Sequence, residues 1–181
     1  MSIQGTHRLG PDNARLSVRT GRSGAAARAG HDLLIEVTSW EATLELGGGS
    51  APSSVSLRAD SSSMAVLEGT GGMTELGADD KASIVKTIDE EILRGAAIEF
   101  HSTEVLAGEP GQIGVSGELT IAGASAPISF EVALDAGGGL RASAVLRQSD
   151  WGIKPYSTLF GALKVADEVE VSLDAGPLAL G

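Results

Sequence analysis

The sequence predicts an all-β chain, an antiparallel barrel of about eight strands with one connector α-helix over about residues 79–94. Three observations carry this reading. Apolar residues alternate with polar ones over most of the chain, the period of a strand with one buried face. The 25 glycines gather in clusters between those runs, where their freedom to reach positive φ suits turns. Only one stretch repeats its apolar residues at a helical period.

Taken in order, Leu16 and Val18 begin the alternation, and Leu33, Ile35 and Val37 continue it. At Trp40, Ala42, Leu44 and Leu46 the phase slips by one residue, which predicts a bulge or sharp bend near Ser39 within one long strand. Gly47-Gly48-Gly49 reads as a turn before the strand of Val55, Leu57 and Ala59, and Gly69 to Gly72 as a second turn. Asp79 to Arg94 is the helical segment: Ile84, Ile88 and Ile92 recur every four residues, and Val85 broadens the stripe. Asp79 or Asp80 suits its cap, Gly95 its end, and the acidic first turn its dipole, so this helix is expected to lie over one end of the sheet.

Ile98 and Phe100 lead the next strand. Ile113, Val115, Gly117, Leu119 and Ile121 form the cleanest alternation in the chain, with Ser116, Glu118 and Thr120 on a wet face. Ile128, Phe130, Val132 and Leu134 follow, then, after Gly137-Gly138-Gly139, Leu140, Ala142, Ala144 and Leu146. Leu163, Val165, Val169, Val171 and Leu173 complete the count. An open sheet of so many strands leaves two unpaired edges, and closure into a barrel removes them.

The 181 residues suffice for one core, and neither linker composition nor an internal repeat divides them. The expected organisation is an N-terminal tail at 1–7 and one barrel domain at 8–178. With 24 acidic against 13 basic side chains the net charge is −11, a field that repels nucleic acid and anionic lipid headgroups. Cysteine is absent, which removes disulfides, thiolate catalysis and thiolate metal sites. The N-terminal residues lack the features of a secretory signal, so cytoplasmic residence is the expectation. No run approaches the roughly 20 apolar residues of a membrane span, so no stable membrane insertion is expected. Three Phe, two Trp and one Tyr are few large side chains to plug a barrel, and an eight-stranded lumen is either filled or just able to hold one small ligand.

Several segments carry a resemblance. Gly30-His31-Asp32-Leu33 and Asp79-Asp80 precede Ile98-Glu99-Phe100-His101-Ser102-Thr103-Glu104-Val105. After these come Gly117-Glu118-Leu119-Thr120-Ile121-Ala122-Gly123, Pro127, and Leu146-Arg147-Gln148-Ser149-Asp150-Trp151-Gly152-Ile153. In this order, over nearly the whole chain, they resemble the YceI-like family. The resemblance implies a lipocalin-like barrel whose hydrophobic lumen, in some members, holds a polyisoprenoid chain such as an isoprenoid quinone.

The expected function is therefore non-enzymatic binding, transport or storage of a hydrophobic small molecule. Alternation assigns Leu33, Ile35, Val37, Ile98, Phe100, Leu119, Ile121, Phe130, Val132 and Trp151 to the lumen. His31, Arg147 and Lys154 are the polar candidates for its rim. Two readings of Trp151 stand open, closure of the lumen or packing in the core at a strand-end corner. No cofactor is expected beyond a bound isoprenoid lipid, and a homodimer is left open.

Catalytic signals are weaker. His7, His31 and His101 lack the short spacing of joint metal ligands, so no metal is expected. Asp79, Asp80, Asp89, Glu90 and Glu91 read as a solvated helix face rather than an acid–base pair. Gly69-Thr70-Gly71-Gly72 lacks the Lys-Ser/Thr pair of a phosphate loop, and no G-x-S-x-G elbow occurs. No catalytic residue is expected. Two rivals remain: a metal-assisted enzyme at the barrel mouth through His31 and Asp32, and a packed, ligand-free barrel serving as a stress-related interaction protein.

Overall fold

The structure, a computed structural model, describes residues 4–48, 53–158 and 163–178. Residues 1–3 of the expected tail and Gly49 of the first glycine turn lie outside the described residues. The elements are β1 (Gly5–Leu9), β2 (Ala14–Ser23), β3 (Asp32–Val37), β4 (Trp40–Leu46), β5 (Ser54–Ala59), β6 (Met64–Thr70), α1 (Ala78–Thr87), β7 (Ile98–Ala107), β8 (Gln112–Ile121), β9 (Ala124–Leu134), β10 (Leu140–Arg147), β11 (Ser157–Thr158) and β12 (Leu163–Ala175). Every strand pairing is antiparallel, in the order β1-β4-β5-β7-β8-β9-β10-β12-β2-β3-β6, with the short β11 beside β12.

That path holds 11 strands, not the expected eight or so, because three long ribs are each broken in two. β1 runs from Gly5↔Leu46 to Leu9↔Ala42, and β2 resumes the same direction from Leu16↔Val37 to Thr20↔Leu33. Gly10 to Asn13 turn out between them. The phase slip after Val37 is the second break. There the Thr38 amide donates to the Ser63 carbonyl at 2.8 Å and the Asp60 amide to that of Ser39 at 3.0 Å. These bonds hold a corner, so one apparent strand becomes β3 and β4, and its partner becomes β5 and β6. Eight ribs were legible as alternation; the corners that divide three of them were not, save for the bend near Ser39.

β12 pairs with β2 from Lys164↔Ser23 to Ala175↔Ala14, which curls the sheet into a half-barrel. The wall is not uniformly closed. Among the described residues, β1 and β6 end the path with one unpaired edge each. β9 and β10 share only Leu134↔Leu140, Ala133↔Arg141 and Val132↔Ala142. α1 lies against β6. It continues through a wider turn over Ile88–Ile92 and stops where Arg94 and Gly95 take φ of 56° and 67°. Asp80 accepts the Gly77 amide at 3.0 Å, capping the start from inside the first turn. No helix among the described residues is long and apolar enough to cross a membrane.

Pairing begins at Gly5, so the sheet takes in residues the sequence placed in the tail. β4 is the most deeply packed strand, with Trp40, Ala42, Leu44 and Leu46 all buried. On β8, Gly117 stands among inward residues because a Cβ there would overlap the His101 carbonyl and the Phe100 ring.

Candidate functional site

Inside the curled sheet is a cavity of about 560 Å³, within the usual range for small-molecule sites. The inward residues of the strands form its wall, and Ile84, Ile88 and Ile92 of the helical segment, with Ser83 and Thr87, cover part of it. Leu33, Ile128, Phe130 and Val171 pack against the same core cluster yet stay only partly buried, because part of each faces the cavity. Phe100 and Phe130 meet with ring centroids 5.5 Å apart and planes tilted by 56°. The rest of the wall is mainly Leu, Ile, Val and Ala, which offer apolar area without directional bonds.

The structure brings together nine of the ten residues expected in the lumen: Leu33, Ile35, Val37, Ile98, Phe100, Leu119, Ile121, Phe130 and Val132 all line the cavity. Trp151 does not. It is 4% exposed, and its Nε1 donates to the Leu119 carbonyl at 2.7 Å. Its place is in the wall, within the turn that follows β10, and the core-packed reading describes it.

Of the expected rim residues, His31 lines the cavity at its mouth, where Nε2 lies 2.6 Å from the Thr74 carbonyl oxygen. Arg147 faces outward toward Glu168, Nε to Oε1 3.7 Å, because Leu146 takes the inward position and alternation sends its neighbour to solvent. Lys154 is also exposed and away from the cavity; Gly152, at φ 69°, reverses the chain and turns Ile153 inward instead.

The other polar residues that line the cavity, beside Ser83 and Thr87, are Thr20, Arg22, Ser143, Gln148, Tyr156 and Lys164. Arg22 had a readable signal, since Leu16, Val18, Thr20 and Arg22 share one phase. Its Nε lies 3.1 Å from Asp32 Oδ1, and its Nη1 donates to the Gly30 carbonyl at 2.8 Å. Asp32 is thus engaged by Arg22, while His31 is turned to Thr74. No group of three metal-ligating side chains is gathered among the described residues. Near the Trp151 turn, the Ser149 hydroxyl and amide donate to Asp167 at 2.5 and 2.8 Å. These bonds, with Arg147 nearby, hold the Asp167 carboxyl below the ordinary carboxylate value.

Comparison with known proteins agrees with this geometry. The model of the YceI-like domain matches residues 25–176. The fold is similar to that of BcnA from Burkholderia cenocepacia, with a TM-score of 0.62 at 14% identity, covering 89% of this chain and 94% of that one. It is also similar to the Campylobacter jejuni YceI protein, with a TM-score of 0.60 at 12% identity, covering 81% of this chain and 85% of that one. A mutant of the latter has been crystallised with a monobromobimane guest, at the same TM-score and identity. No curated protein matches the sequence.

Proposed function

The chain belongs to the YceI-like family, and from that premise we propose that it binds and carries or stores a long apolar molecule, a polyisoprenoid or isoprenoid quinone, inside the half-barrel. The observation that supports this most is the unfilled cavity of about 560 Å³ behind an aliphatic wall. Side chains that pack a core fill it to crystal density, and an apolar void forfeits those contacts. A guest restores them. Each buried methylene contributes about 0.8 kcal/mol before the losses of association, so a chain of isoprene units gains affinity along its length without any polar motif. The mainly aliphatic lining suits such a guest better than a flat aromatic one.

A metal-assisted reaction at the mouth gains little support, because His31 and Asp32 already have separate partners. The packed, ligand-free barrel is disfavoured by the void. The test is organic extraction of protein purified without detergent, followed by mass spectrometry, with an equimolar isoprenoid expected. An empty extract, together with failure to take up farnesol or a short-chain ubiquinone, would remove the proposal.

A further inference from the structure

The charged side chains that line the cavity are opposite in sign to the net charge of the molecule. The chain has a net charge of −11, yet no Asp or Glu lines the cavity among the described residues, whereas Arg22, His31 and Lys164 do. Arg22 is committed to Asp32 and Gly30. Lys164 is different. Its side chain is exposed at the rim, and it has no ion pair among the described residues. Lys164 pairs with Ser23 near the start of β12, one rung from Arg22↔Val165, and the Val165 amide donates to the Tyr156 carbonyl at 2.9 Å. Tyr156, 46% exposed, also lines the opening. Asp167, the nearest acid along β12, is occupied by Ser149.

Building on the cavity reading, we infer that the mouth selects an amphiphile with an anionic head, carboxylate or phosphate, over its neutral counterpart, with Lys164 meeting the charge. The apolar wall holds the tail and gives no preference among heads. Discrimination therefore falls to the rim, where an ammonium draws an anion through partly screened water. A neutral alcohol of the same tail gains only a hydrogen bond there.

The test measures binding of oleate against oleyl alcohol, and of farnesyl phosphate against farnesol, to the full chain and to Lys164→Glu and Lys164→Gln, by native mass spectrometry and calorimetry. At low salt at least one acid should bind about tenfold more tightly than its alcohol, as an added rim attraction of about 1.4 kcal/mol would give. Which pair shows the preference tells carboxylate from phosphate. In Lys164→Glu that preference should vanish while the alcohols bind as before, and Lys164→Gln should fall between. Salt of about 1 M should erase the preference in the unaltered protein, since the screening length drops to about 3 Å. Equal affinity for acid and alcohol in both pairs, or a preference that survives Lys164→Glu, overturns the inference and leaves the cavity reading intact. Failure of all four probes to bind overturns both.

Discussion

Trp151 is tied into the wall by one hydrogen bond, from its Nε1 to the Leu119 carbonyl. Trp151→Phe keeps an aromatic ring, removes the donor and leaves a buried carbonyl without its partner, a loss of about 1–3 kcal/mol. Urea unfolding should report that destabilisation. Isoprenoid uptake should persist, because Trp151 does not line the cavity; lost uptake with unchanged stability would return this residue to the ligand. Sequence alone left its two roles open, since an indole is buried in both. The inward aliphatics were legible for a simpler reason. On a strand, one correctly phased residue fixes the face of its neighbours, and nine positions followed from that. Arg147 and Lys154 stand out in the sequence by charge near a motif rather than by phase, and phase sends Arg147 outward.

The helical segment turns its apolar stripe toward the cavity and is only partly buried against the core. Ile84, Ile88 and Ile92 line the cavity, and none of α1's residues is fully buried. Ile88→Ser should therefore change the stability of the empty protein little. It should weaken retention of an isoprenoid about tenfold or more, as expected when one buried aliphatic contact worth about 1.5–3 kcal/mol is lost. Isoprenoid titration of the variant checks this, and unchanged affinity would show that the guest does not touch the helix. The fourfold spacing revealed this element to within a residue or two. β1 and β6 went unread. In β1, His7 and Leu9 are the buried pair, and one apolar residue makes no pattern. In β6, Ile35↔Val66 is followed by Leu34↔Glu68, so Leu67 is an extra residue that breaks the alternation.

At the scale of the whole molecule, a cavity lined from nearly every strand makes loading a contribution to stability. A guest present at about 100 times its dissociation constant adds about 2.7 kcal/mol to the folded state. For a domain of this size each kcal/mol moves the melting midpoint by about 2–4 °C. Solvent-stripped protein should accordingly melt about 5–10 °C lower than loaded protein by calorimetry, and returning the isoprenoid should restore the difference. Identical midpoints would mean that the interior is indifferent to its contents.

The chain has two tryptophans and one tyrosine, and neither Trp40 nor Trp151 looks into the cavity. Neither indole is a wall contact for anything held there, so a change in its emission on loading has to pass through the wall, as through the Leu119 carbonyl that Trp151 bonds. Tyr156 alone stands by the opening as a native reporter, and its faint signal competes with two brighter ones. A fluorescence assay of loading is therefore best read from a dye that enters the cavity rather than from the protein's own indoles.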